Sequence, residues 1–478
     1  MDPESKNATV SESRRARFKA FLRDVAESVR GTEQDFTEVK MSRAILLLAI
    51  PMVLEMVMES VFAVVDIFFV SKLGADAVAT VGITESVNTI IYAIGSGLGL
   101  ATTSMVSRRI GEKNREEASK TAFQSILLAS AVSIAIGIPG ALFSADILSL
   151  MGASDNIVAN LSGYASITLG ANIVVMLLFI INAVFRSAGD AAVAMKVLWL
   201  GNIINIILDP CLIFGWGPFP ELGITGAAVA TTIGRGIAVL YQVYVLLRGR
   251  KRIALKLKHM VVRIKTVGKL VSLSLGGIGQ NLIATTSWIG LVRIISVYGS
   301  EVVAGYTIAI RIVLFILLPS WGVSNASSTL VGQNLGAGKP DRAEKAVWFT
   351  GWVNIILLAI VGLVLVIAPS YFIGLFIDDP AVIRYGASGL RIISYGFPAY
   401  GLGMVIVSAF NGAGDTTTPV KINFVIFWLL EIPLAYMLAI YISMNQTGVF
   451  TAIVISESLM TLLAWLLFRR GRWKMKKV

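Results

Sequence analysis

Cysteine and histidine are almost absent from this chain. The single cysteine, Cys211, excludes an internal disulfide and any cysteine-based metal cage. The single histidine, His259, lies in a basic loop and excludes a histidine-ligated metal within one chain. Charge is scarce as well: 15% of the 478 residues are Asp, Glu, Lys or Arg, against about 25% in soluble proteins. The motifs H-E-x-x-H and G-x-S-x-G do not occur, so the commonest zinc and serine hydrolase signatures are missing. One stretch, GQNLGAGKP (332–340), comes near a phosphate loop. Gln333 stands where its first glycine belongs, Pro340 replaces its Ser or Thr, and no strand precedes it. An enzyme and an ATP-driven pump are both disfavoured, and no cofactor is called for.

What the chain has in abundance is apolar sequence: 56% hydrophobic residues and a mean hydropathy of +0.77. Runs of about 20 residues are long enough to cross a hydrocarbon core of about 30 Å. Twelve such spans are read at about 43–70, 78–107, 118–141, 157–186, 192–214, 223–247, 267–298, 302–331, 344–373, 381–411, 417–442 and 447–470. The expected fold is an all-α polytopic membrane protein. The net charge of +12 fits this picture better than it fits nucleic acid. Basic residues crowd the loops near 108–120, 248–265 and 339–345 and the segment RRGRWKMKK, whereas the alternate loops carry chiefly Asp and Glu. That is the positive-inside bias, with both termini cytoplasmic in a plasma (inner) membrane. The first 40 residues lack a signal peptide's apolar core. Residues 14–30 read either as a basic amphipathic surface helix or as part of a disordered cytosolic tail.

The two halves repeat. LGADAVATVGI from Leu73 matches YGSEVVAGYTI from Tyr298, an offset of 225 residues. In the same register Gly97 matches Gly322, Gly111 matches Gly336, Lys120 matches Lys345 and FRSAGD (185–190) matches FNGAGD (410–415). The chain is therefore a duplicated six-helix unit. Six is even, so the repeats enter the membrane in the same sense and are related by a pseudo-twofold axis along the membrane normal. The expected organisation is a tail at 1–40, one lobe at 41–247, a basic linker at 248–266, a second lobe at 267–470 and a basic tail at 471–478.

The repeat also serves as an internal control. Asp66 corresponds to Leu291, Glu59 to Ala284 and Glu55 to Gln280. Asn202, Asn205 and Asp209 correspond to Phe427, Leu430 and Leu434, and Asn182 to Val407. One copy thus holds polar groups that the same fold does without in the other. At 100° per residue, Glu55, Glu59 and Asp66 lie within about 40° of one another, and Asn202, Asn205 and Asp209 cluster likewise. Helices one and five both run outward, so Asp66 and Asp209 sit at similar depth. An ionised carboxylate facing lipid is costly, so both face the bundle interior. Carboxylate and amide oxygens suit a hard cation such as Na⁺, and the same pair could hold a proton. Asn202 and Asn205 could instead be interhelical hydrogen-bond glue. Glu55 is read as lining a wet vestibule. The second half has its own intramembrane charges, Arg311, Glu431 and Glu457, read as a structural or gating set in which Arg311 pairs with a carboxylate.

Together, IPMVL to VVD (Pro51 to Asp66), the two AGD loops, NIILDP and STLVGQNLGAGKPDRAEKA resemble the multidrug and toxic compound extrusion (MATE) transporters, over residues 40–470 and most closely the DNA-damage-inducible-type branch. The resemblance implies two six-helix lobes in a V and antiport of organic cations or other amphipathic toxins against Na⁺ or H⁺. It places the coupling ion at Asp66, Asn205 and Asp209. The family's helix-six threonine falls on Ala227, and Thr231, one turn on, is the same-face candidate. Glu59, Asn202, Asn182, Tyr164 and Met56 are assigned to substrate, and Pro51 to gating. The expected partners are small amphipathic substrates and the bilayer, with the protein a monomer. Other branches put essential acids in helices seven and ten, which have no clear equivalent here. Relatives in the same superfamily flip lipid-linked sugars, which is the alternative reading; a passive cation channel is a third.

Overall fold

The computed structural model describes residues 19–31, 34–249 and 252–478, and the regular structure among them is helical. Among the described residues, eleven helices are long and apolar enough to cross a membrane. They are α1 (Met41–Ser71), α2 (Ala75–Gly111), α3 (Arg115–Leu142), α4 (Asp155–Ala188), α5 (Ala191–Phe214), α6 (Ile224–Arg248), α7 (Ile264–Tyr298), α8 (Ser300–Gly336), α9 (Pro340–Ile367), α11 (Thr417–Tyr441) and α12 (Gln446–Arg469). The twelfth, α10, is a broken span: Pro380–Tyr395 and Phe397–Ala413 meet at 57°. The chain is thus a multi-pass membrane protein. The expected continuous tenth span is bent at Gly396, because Pro398 at the start of the second piece has no N–H to continue the helical hydrogen bonds.

The repeat extends to the ends of the helices. α2 and α8 start and stop 225 residues apart, as do α3 and α9. So do the two pieces of α4 (Asp155–Gly170, Asn172–Ala188) and the two of α10. The AGD loops explain one of these coincidences. Gly189 (φ 89°) and Gly414 (φ 85°) take the left-handed conformation that ends a helix, which other residues adopt poorly. The next residue then bonds back across the last turn, Asp190 N–H to the Phe185 carbonyl at 2.8 Å and Asp415 N–H to that of Phe410 at 2.9 Å.

The halves join mainly through α1 and α2 packed on α7 and α8. Glycines bring the backbones together in symmetry-related pairs. A Cβ on Gly111 would stand 1.9 Å from the Gln333 carbonyl oxygen, and one on Gly336 2.1 Å from that of Arg108. One on Gly97 would stand 2.6 Å from Ile278, while one on Gly322 would stand 2.8 Å from Met52. Beyond Ile90 in α2 and Trp321 in α8 no residue of either helix is exposed, so this end of the molecule is sealed.

Flanking segments strengthen the seal. Residues 34–40 are not a loose tail. Phe36 is fully buried, its carbonyl accepts from Arg342 at 3.2 Å, and the Thr37 carbonyl accepts from Lys339 at 3.1 Å. Of the expected amphipathic segment, residues 19–30 are helical and 14–18 lie outside the described residues. At the other end Trp473 is buried and stacks on Phe468 at 4.6 Å, and Arg108 donates to the Lys476 carbonyl at 2.7 Å.

Candidate functional site

Four helices of the first half enclose a cavity of about 440 Å³. Each contributes one face at helical spacing. α1 supplies Glu59, Phe62, Ala63 and Asp66; α2 supplies Val81, Glu85, Asn88 and Tyr92; α4 supplies Tyr164, Thr168 and Phe179; α6 supplies Ala228, Thr231, Thr232 and Arg235. The walls are largely apolar and aromatic, with polar groups confined to a few points, the usual make-up of a small-molecule site.

The α5–α6 contact fixes the polar layer behind this lining. A Cβ on Gly234 would stand 2.6 Å from the Gly201 carbonyl oxygen, so the two backbones touch. That approach lets Asn205 Nδ2 donate to Thr231 Oγ1 at 3.0 Å and to Asp209 Oδ1 at 3.1 Å. Thr231 therefore has one side on the cavity and the other on Asn205. Asp209 is fully buried, and its Oδ2, like Asn205 Oδ1, has no hydrogen-bond donor. Asp66 lines the cavity half-buried, close enough to Asp209 for their charges to interact. Asp66 and Thr231 on the lining and Asn205 and Asp209 behind it thus form one polar layer rich in oxygen, the donor type a hard cation takes, with the Asn205 NH2 turned to Thr231 and Asp209.

Glu59 lines the cavity with both oxygens engaged. One accepts from Asn202 at 3.2 Å and the other from Arg235 Nη2 at 3.3 Å. Arg235 also lies over the Phe62 ring, 5.2 Å from its centroid, and has the Tyr92 side chain as a neighbour on the lining. Glu85 accepts from Asn88 at 3.1 Å.

Several expected positions lie elsewhere. Glu55 does not line a wet vestibule: it is 2% exposed and paired with Arg186 at 2.6 Å. Asn182 does not reach the cavity. Its Nδ2 donates to Glu55 at 3.1 Å and its Oδ1 accepts from Gln242 at 2.6 Å, so both ends of the amide are occupied in a closed network. Asn202 is buried behind Glu59 and meets the cavity only through it. Met56 is turned about 60–80° from Glu59 and Asp66 around α1 and is not among the lining residues. Pro51 is buried within an uninterrupted α1. Tyr164 does line the cavity. In the second half, Arg311 is exposed on α8, and no carboxylate pairs with it among the described residues. Glu431 is buried with Ser287 Oγ at 3.5 Å, and one oxygen of Glu457 is buried without a donor.

Four residues escaped the sequence reading: Glu85, Arg235, Arg186 and Tyr92. The repeat could have found them, since they correspond to Ile310, Met460, Asn411 and Leu317.

Comparison with known proteins gives a consistent result. The sequence profile of the MatE family matches residues 51–211 and 278–437. The probable multidrug resistance protein NorM of Thermotoga maritima is 26% identical over 449 residues, 91% of this chain and 94% of that protein. An FAD transporter of Shewanella oneidensis is 27% identical, over 90% of this chain and 94% of its own length. The fold matches the outward-facing conformation of a multidrug resistance MATE family transporter, with a TM-score of 0.86 at 24% identity over 92% of this chain and 98% of that one.

Proposed function

This chain belongs to the MatE family, that of multidrug exporters rather than enzymes, and from that premise we propose that it exchanges amphipathic organic cations against Na⁺, with Asp66, Asp209, Asn205 and Thr231 holding the ion. The observation that carries the proposal is the polar wall. Two unpaired oxygens, Asp209 Oδ2 and Asn205 Oδ1, are buried beside a cavity that Asp66 and Thr231 line. The amide oxygen favours Na⁺ over a proton, because it coordinates a cation but is not protonated near neutral pH.

The substrate enters the same cavity and is held by its acidic and aromatic lining, chiefly Glu59, Glu85, Phe62 and Tyr164. The FAD transporter of Shewanella oneidensis has an anionic cargo. Here three carboxylates against one guanidinium line the cavity, which disfavours an anion. Ion binding at Asp66 and Asp209 lowers the negative potential and releases the substrate. The substrate in turn weakens the ion by the same factor. Pro51, which removes one backbone hydrogen bond from α1, is the point at which that helix would bend between states.

The proposal includes topology. We put the sealed end, with both termini, on the cytoplasmic side and the cavity toward the outside; the basic loops near 108–120 and 339–345, which lie at the sealed end, support this reading. Two lobes, 41–247 and 267–470, in one monomer complete the unit. The acids of the first half support membership of the DNA-damage-inducible-type branch. The test is substrate affinity on the purified protein: tetraphenylphosphonium binding weakens as Na⁺ rises, and Asp66→Asn blunts the effect. Binding indifferent to Na⁺ in the unmutated protein would overturn direct competition.

A further inference from the structure

Among the described residues Arg235 is the one cation lining the cavity, and it is 7% exposed. An arginine at such a depth is costly and calls for a reason. Two arginines of the first half offer a comparison. Arg186 holds Glu55 at 2.6 Å, away from the cavity, in a network closed by Asn182 and Gln242. Arg235 holds Glu59 at the longer distance of 3.3 Å, on the lining itself, and Glu59 keeps a third of its side chain exposed. The Arg235 Nε–H is buried without an acceptor. The second half builds the same six-helix unit with Ala284 and Met460 at these two positions, so the fold does not require the pair.

Ion and substrate exclude each other, so Asp66 carries no ion when the substrate binds. Among the described residues the charged groups lining the cavity are then Glu59, Asp66, Glu85 and Arg235, which together carry two negative charges. Without Arg235 they would carry three. A dication also brings its second charge into a low-dielectric space beside a guanidinium, where like charges a few ångströms apart repel strongly. We propose that Arg235 is a built-in cation that sets the charge of the favoured substrate, lowering the cavity's preference for dications relative to monocations. It is a specificity residue, attached to the protein, that competes with the substrate for Glu59. This inference rests on the reading of the cavity as the substrate site.

The test uses the full-length protein in detergent and two aromatic probes, tetraphenylphosphonium as monocation and 4′,6-diamidino-2-phenylindole as dication. Arg235→Gln leaves three negative charges and should raise the dication-to-monocation affinity ratio by about tenfold or more. Arg235→Lys keeps the charge and should leave the ratio within about twofold of the unmutated protein. Glu59→Gln removes a negative charge from the other side of the pair and should move the ratio in the opposite direction, which keeps the test open if Arg235→Gln does not accumulate. Ratios unchanged in both Arg235→Gln and Glu59→Gln, in a protein that binds the monocation, would overturn the role of Arg235. Failure of the unmutated protein to bind either probe would instead overturn the reading of the cavity.

Discussion

Thr231 on α6 accepts a hydrogen bond from Asn205 on α5 at 3.0 Å while lining the cavity that Asp66 lines from α1. Through this hydroxyl, buried Asn205 is one hydrogen bond from substrate space and Asp209 two. Thr231→Val keeps the shape and removes the oxygen. It should weaken Na⁺ binding by the worth of about one ligand contact, roughly 1–1.5 kcal/mol or five- to tenfold, without abolishing efflux. A Na⁺ titration of substrate release reads this, and a variant indistinguishable from the unmutated protein would remove Thr231 from the ion site.

The two carboxylates on one face of α1 should fail in different ways. Glu55 is sealed against Arg186, so Glu55→Ala strands a buried guanidinium and should cost about 3–5 kcal/mol of stability. Glu59 is a third exposed. Glu59→Ala should cost less stability and more substrate affinity. Thermal unfolding in detergent beside probe binding separates the two; the reverse ranking would exchange their assigned roles.

Gly111 and Gly336 should respond alike, being related by the repeat and each pressed on a carbonyl of the other half. Alanine at either must push α2 and α8 apart, lowering the melting temperature and impairing closure of the sealed end. Gly82, on the same helix as Gly111, has nothing within 4 Å of its Cβ direction, so Gly82→Ala is the control. Equal effects at 82 and 111 would contradict the packing argument.

The second half should not carry coupling. Glu431 has one side-chain hydrogen bond among the described residues, from Ser287 at 3.5 Å, and lies near Glu457 and Tyr400 without the amide and hydroxyl layer that Asn205 and Thr231 build in the first half. Glu431→Gln should leave Na⁺-driven efflux far closer to normal than Asp209→Asn does. The opposite order would move the coupling site to the other half.

Much of this architecture was legible in the sequence, for physical reasons. Span lengths follow from bilayer thickness, and the 225-residue register follows from duplication, which copied helix ends and glycine contacts together. The singular acids and amides of the first half stood out against Leu291, Leu430 and Leu434. What sequence could not reveal was which polar groups consume each other. Asn182 and Glu55 look as available as Asn205 and Asp66 along the chain. Only the packing of α4 on α1 and α6 turns them into a closed network with Arg186 and Gln242. The bend in α10 did carry a signal, the Gly396–Phe397–Pro398 sequence, set inside an apolar run long enough to read as one helix.

The central claim is that Asp66 and Asp209 couple the ion to efflux. Its most direct test is tetraphenylphosphonium efflux from proteoliposomes under an imposed Na⁺ gradient without a pH gradient, for the unmutated protein and for Asp66→Asn and Asp209→Asn. The account predicts gradient-driven efflux in the first and its loss in both variants, with the variants still folded and still binding the probe. Efflux that ignores the Na⁺ gradient, or that survives in either variant, would contradict it.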